Sequence, residues 1–378
     1  MDAKKNVLFL YPDPPGFSGQ RRVCELMIEC LADHPDIRIT AITLPGRPRT
    51  GGGLGAMWRF VWQTTKSMLR LFRHAVFGSP SGLFVALCQT RSTLARENAI
   101  IRFVRAFNRN IPIAYRLDGS NFTRWRGDEP VAHAFRTVLS YGRFIAVLGP
   151  KQESIVRERF LGGALRPVIV PNTCEFDAIT EDELAGKHND TDPICILHLS
   201  SLMEPKGFVE VAGAAAGSSN EFTICGAITA SDEDTRFDSV ADATEWLAGQ
   251  ENQHDNLTWV RGAFGDEKKA LFDAASIFVF PSRYKVEAQP LVLLEAMARG
   301  CTLITTEIGE IPFMVDNNCA VLLEATDADA VSSAIASLAD DPERRLDLAR
   351  EARHRFLTVF STQANKAKWH ELFRDTYA

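Results

Sequence analysis

The feature that most constrains this 378-residue chain is an alternation of two patterns. Short apolar runs of strand length are separated repeatedly by stretches whose apolar residues recur with the period of a helix. In the first half the strand-like runs are residues 7–11, 37–44, 83–88, 111–116, 143–148 and 168–170. Helical patterns such as residues 21–32 and 94–108 lie between them. The second half repeats the scheme with strand-like runs at residues 194–199, 221–225, 257–260, 277–280 and 302–306. Helical patterns there cover residues 208–216, 268–275, 290–299 and 327–338. Strand and helix alternating at this pitch means parallel sheets with helices on both faces. The two halves are joined by a polar stretch, residues 179–193, so the expected fold is α/β with two doubly wound, Rossmann-like domains facing a central cleft. The expected division is residues 1–178, a linker at 179–193, residues 194–358 and a closing segment at 359–378.

Residues 277–315 carry the clearest chemistry. An apolar strand runs into a Pro-Ser turn and a polar loop that holds Glu287, and a helix begins at Pro290. From 290 to 298 that helix is apolar on every side except for Glu295. A helix apolar all round is buried, and a lone buried carboxylate is costly unless it is paired or hydrogen-bonded. Glu295 therefore needs a partner that the local sequence does not supply, and a hydroxyl-rich ligand is a candidate. Proline at a helix start leaves unpaired backbone N–H groups pointing outward, where phosphate is attracted.

This unit resembles the nucleotide-sugar site of the retaining glycosyltransferases of family 4, whose signature is two Glu residues eight positions apart followed by Glu-Ala-Met-Ala-x-Gly. Here those are Glu287, Glu295 and the run from Glu295 to Gly300. The resemblance implies a GT-B fold and a last helix (Trp369, Leu372, Phe373) that crosses back to the first domain. It implies that Glu287 contacts the transferred sugar and Glu295 the ribose. The loop whose amides face sugar and diphosphate maps onto Ala288, Gln289, Pro290 and Leu291. Lys206 and Gly207 match the Lys-Gly that meets the diphosphate, and Gly19 the glycine near the phosphates. The link Val170-Pro171-Asn172 is also similar.

Two positions depart from the pattern. The usual Gly-Arg is Ser200-Ser201, so Ser201 stands where a phosphate-binding cation is customary. Either Lys206 acts with backbone amides alone, or Arg21 or Arg283 substitutes. Asp118 stands where a histidine contacts the donor sugar. An ionised Asp accepts a hydrogen bond there but cannot donate one. Asp232-Glu233-Asp234 is expected to be a solvated loop and no metal site, and the glycines at 51–53 and 55 a flexible loop without a P-loop context.

Charge is divided unevenly. Residues 1–172 carry 25 Lys+Arg against 12 Asp+Glu, and residues 173–378 carry 17 against 36. From Ile37 to Arg96 there are nine basic residues and no acidic one. Within that span, residues 58–77 read as a helix rich in Trp, Phe and cations, of the kind that lies on anionic membrane surfaces. Arg59, Lys66, Arg70 and Arg73 are its candidate acceptor or membrane contacts; a core-packed helix with solvated Arg heads is the other reading. No apolar run reaches the roughly 20 residues that span a bilayer, and the first apolar stretch reads as a strand rather than a signal peptide. The expected location is cytoplasmic, peripheral at the inner face of the membrane. Eight scattered cysteines suggest neither disulfide nor metal.

The reading is a retaining, metal-independent glycosyltransferase without cofactor. Its donor is a nucleotide-diphosphate sugar, its acceptor a glycan or lipid-linked hydroxyl, and no nucleic acid is expected as partner. Bacterial cell-surface polysaccharide synthesis is the expected context. The alternatives are a catalytically weakened nucleotide-sugar-binding subunit and a GT-B-fold nucleotide-sugar epimerase.

Overall fold

The computed structural model describes residues 4–14, 19–46, 53–162, 164–189 and 193–377. The chain forms two compact units, residues 1–173 with 362–378, and residues 174–361.

In the first unit the elements are β1 (Lys5–Asp13), α1 (Gly19–Leu31), β2 (Ile37–Pro45), α2 (Leu54–Phe77), β3 (Gly82–Ala86) and α3 (Arg91–Phe107). They continue with β4 (Ile113–Arg116), α4 (Pro130–Leu139), β5 (Phe144–Val147), α5 (Pro150–Arg159) and β6 (Arg166–Ile169). The strands form one parallel sheet in the order β2-β1-β3-β4-β5-β6. Successive side chains leave opposite faces of a strand. Leu8 and Leu10 of β1 accordingly join one core cluster, and Val7, Phe9 and Tyr11 another. Burial on both faces is what makes these strands read as continuous apolar runs.

The second unit begins with α6 (Glu181–His188), β7 (Cys195–Leu199), α7 (Phe208–Ala215), β8 (Glu221–Cys225), α8 (Val240–Gln253) and β9 (Leu257–Val260). Then come α9 (Gly265–Ala274), β10 (Ile277–Phe280), α10 (Leu291–Ala298), β11 (Thr302–Thr305), α11 (Ile311–Met314), β12 (Ala320–Leu322), α12 (Ala328–Ala339) and α13 (Pro342–Arg355). Its sheet order is β12-β11-β10-β7-β8-β9, all parallel. The chain builds outward from β7 to β9, then returns to the other side of β7 with β10. That reversal is the switch point where α/β sheets bind ligands, at the carboxyl ends of the two strands. In the first unit the reversal lies between β1 and β3.

The last helix, α14 (Thr362–Tyr377), is part of the first unit. Trp369, Phe373 and Tyr377 pack with Phe9 and Phe84 in one cluster. A Cβ on Gly82 would sit 2.2 Å from the Tyr377 ring, so only glycine leaves that ring its place.

Several expectations are corrected. The first unit ends at Thr173 rather than at 178, and the closing segment starts at Thr362 rather than at 359. The expected linker at 179–193 is largely the helix α6, which buries Leu184 against Ile179 and Ala349. A twelfth strand, β12, was not expected. No described helix is long and apolar enough to cross a membrane.

Candidate active site

Three loops of the second unit meet at its switch point: residues 200–207 after β7, residues 281–290 after β10, and residues 306–310 after β11. Their backbones fix one another. The Arg283 N–H donates to the Pro205 carbonyl at 2.7 Å, the Thr306 hydroxyl to the Ser282 carbonyl at 2.5 Å, and the Glu310 N–H to the Ala288 carbonyl at 2.9 Å. Two glycines make these approaches possible. Gly207 has φ +89° and faces the Pro281 ring 2.4 Å from where a Cβ would stand. Gly309, at φ +60°, would place a Cβ 2.1 Å from the Glu287 carbonyl oxygen.

This scaffold brings Lys206 and Glu287 together. Lys206 Nζ is 3.6 Å from Glu287 Oε2, and the Ser282 hydroxyl donates to the same oxygen at 3.4 Å. The Lys206 ammonium also lies 5.7 Å from the centre of the Tyr284 ring. Both charged side chains are mostly buried, at 16% and 9% exposed, and their interaction is screened far less than a surface pair would be.

Glu295 lies inside α10, on a helix whose residues 293–298 are all buried. Pro290 precedes the helix at the N-cap with extended backbone, one position earlier than expected. The first-turn N–H groups of Leu291 and Val292 have no acceptor within the helix, as in any helix start. Glu295 has a protein partner from outside the local sequence: Lys268 of α9 reaches Oε1 at 2.6 Å. Among the described residues Oε2 has none. Burial pushes the Glu295 carboxyl above its ordinary range against the pull of Lys268. The result is a buried ion pair with one carboxylate oxygen left to accept.

Arg21 and Arg283, the two candidate substitutes for the customary Arg, are each held by carboxylates. Ser201 is exposed, and Ser200 donates its hydroxyl to His198 Nε2 at 3.1 Å while His198 Nδ1 donates to the Val279 carbonyl. Arg283 is held by Glu210 at 2.8 Å and Glu204 at 2.9 Å. Arg21 is held by Asp13 and Glu25, each at 2.8 Å. Of the three cations considered, Lys206 is the one at the switch point with the loosest carboxylate contact. The acidic loop is more than solvated polar chain: Asp234 caps the Ser231 N–H at 2.7 Å, and Glu233 accepts from the Lys285 N–H at 3.2 Å. Among the described residues no three His, Cys, Asp or Glu side chains gather into a metal site.

The remaining expected site residues lie in the first unit. Gly19 opens α1, next to residues 15–18, which fall outside the described residues together with residues 47–52 of the basic and Gly-rich span. Asp118 follows β4, but its carboxylate is bound by Arg116, and the other oxygen is 4.0 Å from Cys24 Sγ. Arg116 is 1% exposed and also donates to Asn172 at 2.6 Å. A buried guanidinium requires a counter-charge, so Asp118 neutralises Arg116 before anything else. Arg59, Lys66, Arg70 and Arg73 are all exposed on α2.

Two groups escaped the sequence reading. Lys268 sits 27 positions before its partner; its one signal is a place on the buried side of α9, one turn from Phe272. Glu97 of α3 accepts from the Cys88 N–H at 3.2 Å, and burial pushes it up to about 8.

Residues 180–355 match the family model for glycosyl transferases group 1. An MMP alpha-(1->4)-mannosyltransferase from Mycolicibacterium hassiacum is 31% identical over 127 residues, covering 33% of this chain. The match spans 30% of that protein's length. Over the whole chain the fold is that of a sucrose-phosphate synthase from Thermosynechococcus elongatus, with TM-score 0.72, 18% identity, and 98% and 99% of the two chains covered. Anabaena HepE in complex with UDP-glucose is similarly alike, with TM-score 0.69, 14% identity, and 98% and 99% coverage. The chain therefore has the GT-B fold, and its residues 180–355 match the glycosyl transferases group 1.

Proposed function

We propose that the chain transfers a sugar, with retention and without a metal ion, from a nucleotide diphosphate to a hydroxyl of a glycan or lipid-linked acceptor. Cell-surface polysaccharide synthesis is the proposed context. The observation that carries the reading is the Lys206–Glu287 pair, a cation and a carboxylate 3.6 Å apart on two interlocked loops at the switch point. As the bond from the anomeric carbon to the diphosphate oxygen breaks, its electron pair goes to the phosphate. Lys206 and the N–H groups at the start of α10 lie where that charge can be met, so electrostatic stabilisation needs no cation from solution. Glu287, steadied by Lys206 and Ser282, accepts from sugar hydroxyls. Glu295 Oε2 accepts from the ribose. The acceptor oxygen bonds to the same face of the sugar and gives its proton to the departing phosphate. Asp118 has a positioning role through Arg116.

The UDP-glucose held by Anabaena HepE and the mannosyl transfer named in the mycobacterial relative support a first panel of UDP-glucose and nucleotide-linked mannose. The test is thermal unfolding with each nucleotide sugar, followed by product analysis with excess chelator. A donor at a hundred times its Kd stabilises the fold by about 2.7 kcal/mol. Turnover that vanishes in chelator and returns with Mn²⁺ or Mg²⁺ would overturn metal independence. Donor binding without transfer to any hydroxyl acceptor would favour a binding subunit.

A further inference from the structure

The helix α2 has three faces rather than two. At about 100° per residue, Ser67, Leu71 and Ala75 share its inward face, and all three are buried. On the outward side Trp58, Trp62 and Leu69 form one stripe, 71%, 63% and 64% exposed. Arg59, Lys66, Arg70 and Arg73 form the adjoining stripe, also exposed. Of the twelve exposed large hydrophobic residues among the described residues, seven are on this helix: Met57, Trp58, Val61, Trp62, Leu69, Phe72 and Phe77. Phe72 carries the patch on to α3 through Phe103, with ring centres 6.0 Å apart, and so to the exposed Phe107. Scattered exposed hydrophobics need no explanation, but a contiguous patch does.

The charge chooses the occupant. No acidic residue occurs between Ile37 and Arg96. Burial first, and then Arg70, Arg73 and Arg38, hold His74 below its ordinary range, consistent with a positive potential along this face. A second copy docked through the same face would set four cations against four with no carboxylate on either helix, which is repulsive. Indole rings beside cations suit a bilayer interface, where the rings enter the headgroup region and the cations meet lipid phosphates.

We propose that the outward face of α2 docks the chain on the surface of a bilayer containing anionic lipid. The inference is independent of the transfer reading, because binding to lipid is measured without donor or acceptor. The test uses the full chain and vesicles of phosphatidylcholine alone or mixed with phosphatidylglycerol. The chain sediments with the mixed vesicles only, and less so as added salt shortens the screening length below about 8 Å. Brominated lipid quenches its tryptophan fluorescence. Replacing Arg59, Lys66, Arg70 and Arg73 with Gln lowers partitioning roughly five-fold per cation, a few hundred-fold together. Trp58→Ser with Trp62→Ser removes the quenching while the melting temperature stays close to that of the parent. The proposal is overturned by equal binding to phosphatidylcholine vesicles, by no binding to either, or by a four-Gln variant that partitions like the parent. Concentration-dependent self-association abolished by the same variants, with no lipid binding, would assign the face to a protein contact instead.

Discussion

Replacing Lys268 with Met tests whether Glu295 is one half of a buried ion pair. The two side chains are 10% and 4% exposed and 2.6 Å apart. Removing one partner of such a pair costs about 3–5 kcal/mol, because the remaining charge is buried alone. Glu295 can escape part of that cost by taking up a proton. Its carboxyl is already raised by burial, and the loss of Lys268 removes the main influence lowering it. In Lys268→Met the folded value therefore stands well above the ordinary 4.5. Between those two values the native state binds more protons than the unfolded state, so stability falls as pH rises, by up to about 1.4 kcal/mol per pH unit. Urea unfolding should show a small penalty at pH 5 and the full penalty at pH 8. Adding Glu295→Gln should remove most of the pH dependence. A penalty equal at both pH values, or below about 1 kcal/mol at pH 8, would refute the buried pair.

Glu287→Ala should cut turnover while leaving nucleoside diphosphate affinity nearly intact, whereas Lys206→Ala should weaken both; calorimetry and initial rates separate the two. His188 and His198 titrate at about 4 because burial disfavours their charged forms. The unfolded chain binds those protons at the ordinary 6.5 and the native state does not. Stability should therefore drop as pH falls from about 6.5 towards 4, by up to roughly 3 kcal/mol for each histidine, measurable in denaturant melts. Gly309→Ala drives a methyl group into the Glu287 carbonyl and holds a left-handed backbone that costs about 1–2 kcal/mol by itself. Its turnover should fall more than that of an alanine placed at the open Gly249, where no heavy atom lies within 4 Å.

The doubly wound scaffold was legible because parallel strands covered on both faces leave uninterrupted apolar runs. β12 was missed for the opposite reason: three residues, Ala-Val-Leu, with two of them only partly buried. α6 hid in a polar stretch, although Thr180 and Glu183 spell out a capping box in which each side chain accepts from the other's N–H, at 3.2 and 2.7 Å. Within the site, Lys206, Glu287 and Glu295 stood out because charge in apolar surroundings demands an explanation. Lys268 did not, since a partner brought by folding leaves no local spacing to read. Arg21 and Arg283 looked available as cations only because sequence does not show the carboxylates that occupy them. The ion pair of Asp118 with Arg116 was not legible either, because it depends on burial.

The place of α14 bears on how the chain is made. Residues 174–361 are contiguous, so the second unit has all of its residues before the last helix is synthesised. The first unit does not: Trp369, Phe373 and the Tyr377 hydroxyl, which donates to the Leu83 carbonyl at 3.0 Å, arrive last. Domains usually mature in the order of synthesis. Here the amino-terminal half waits with part of one sheet face, the part α1 does not cover, open while the later half closes, so holdase chaperones should favour the half made first. A released chain truncated after residue 361 would hold every residue of the second unit and lack α14 of the first, a state that limited proteolysis can detect.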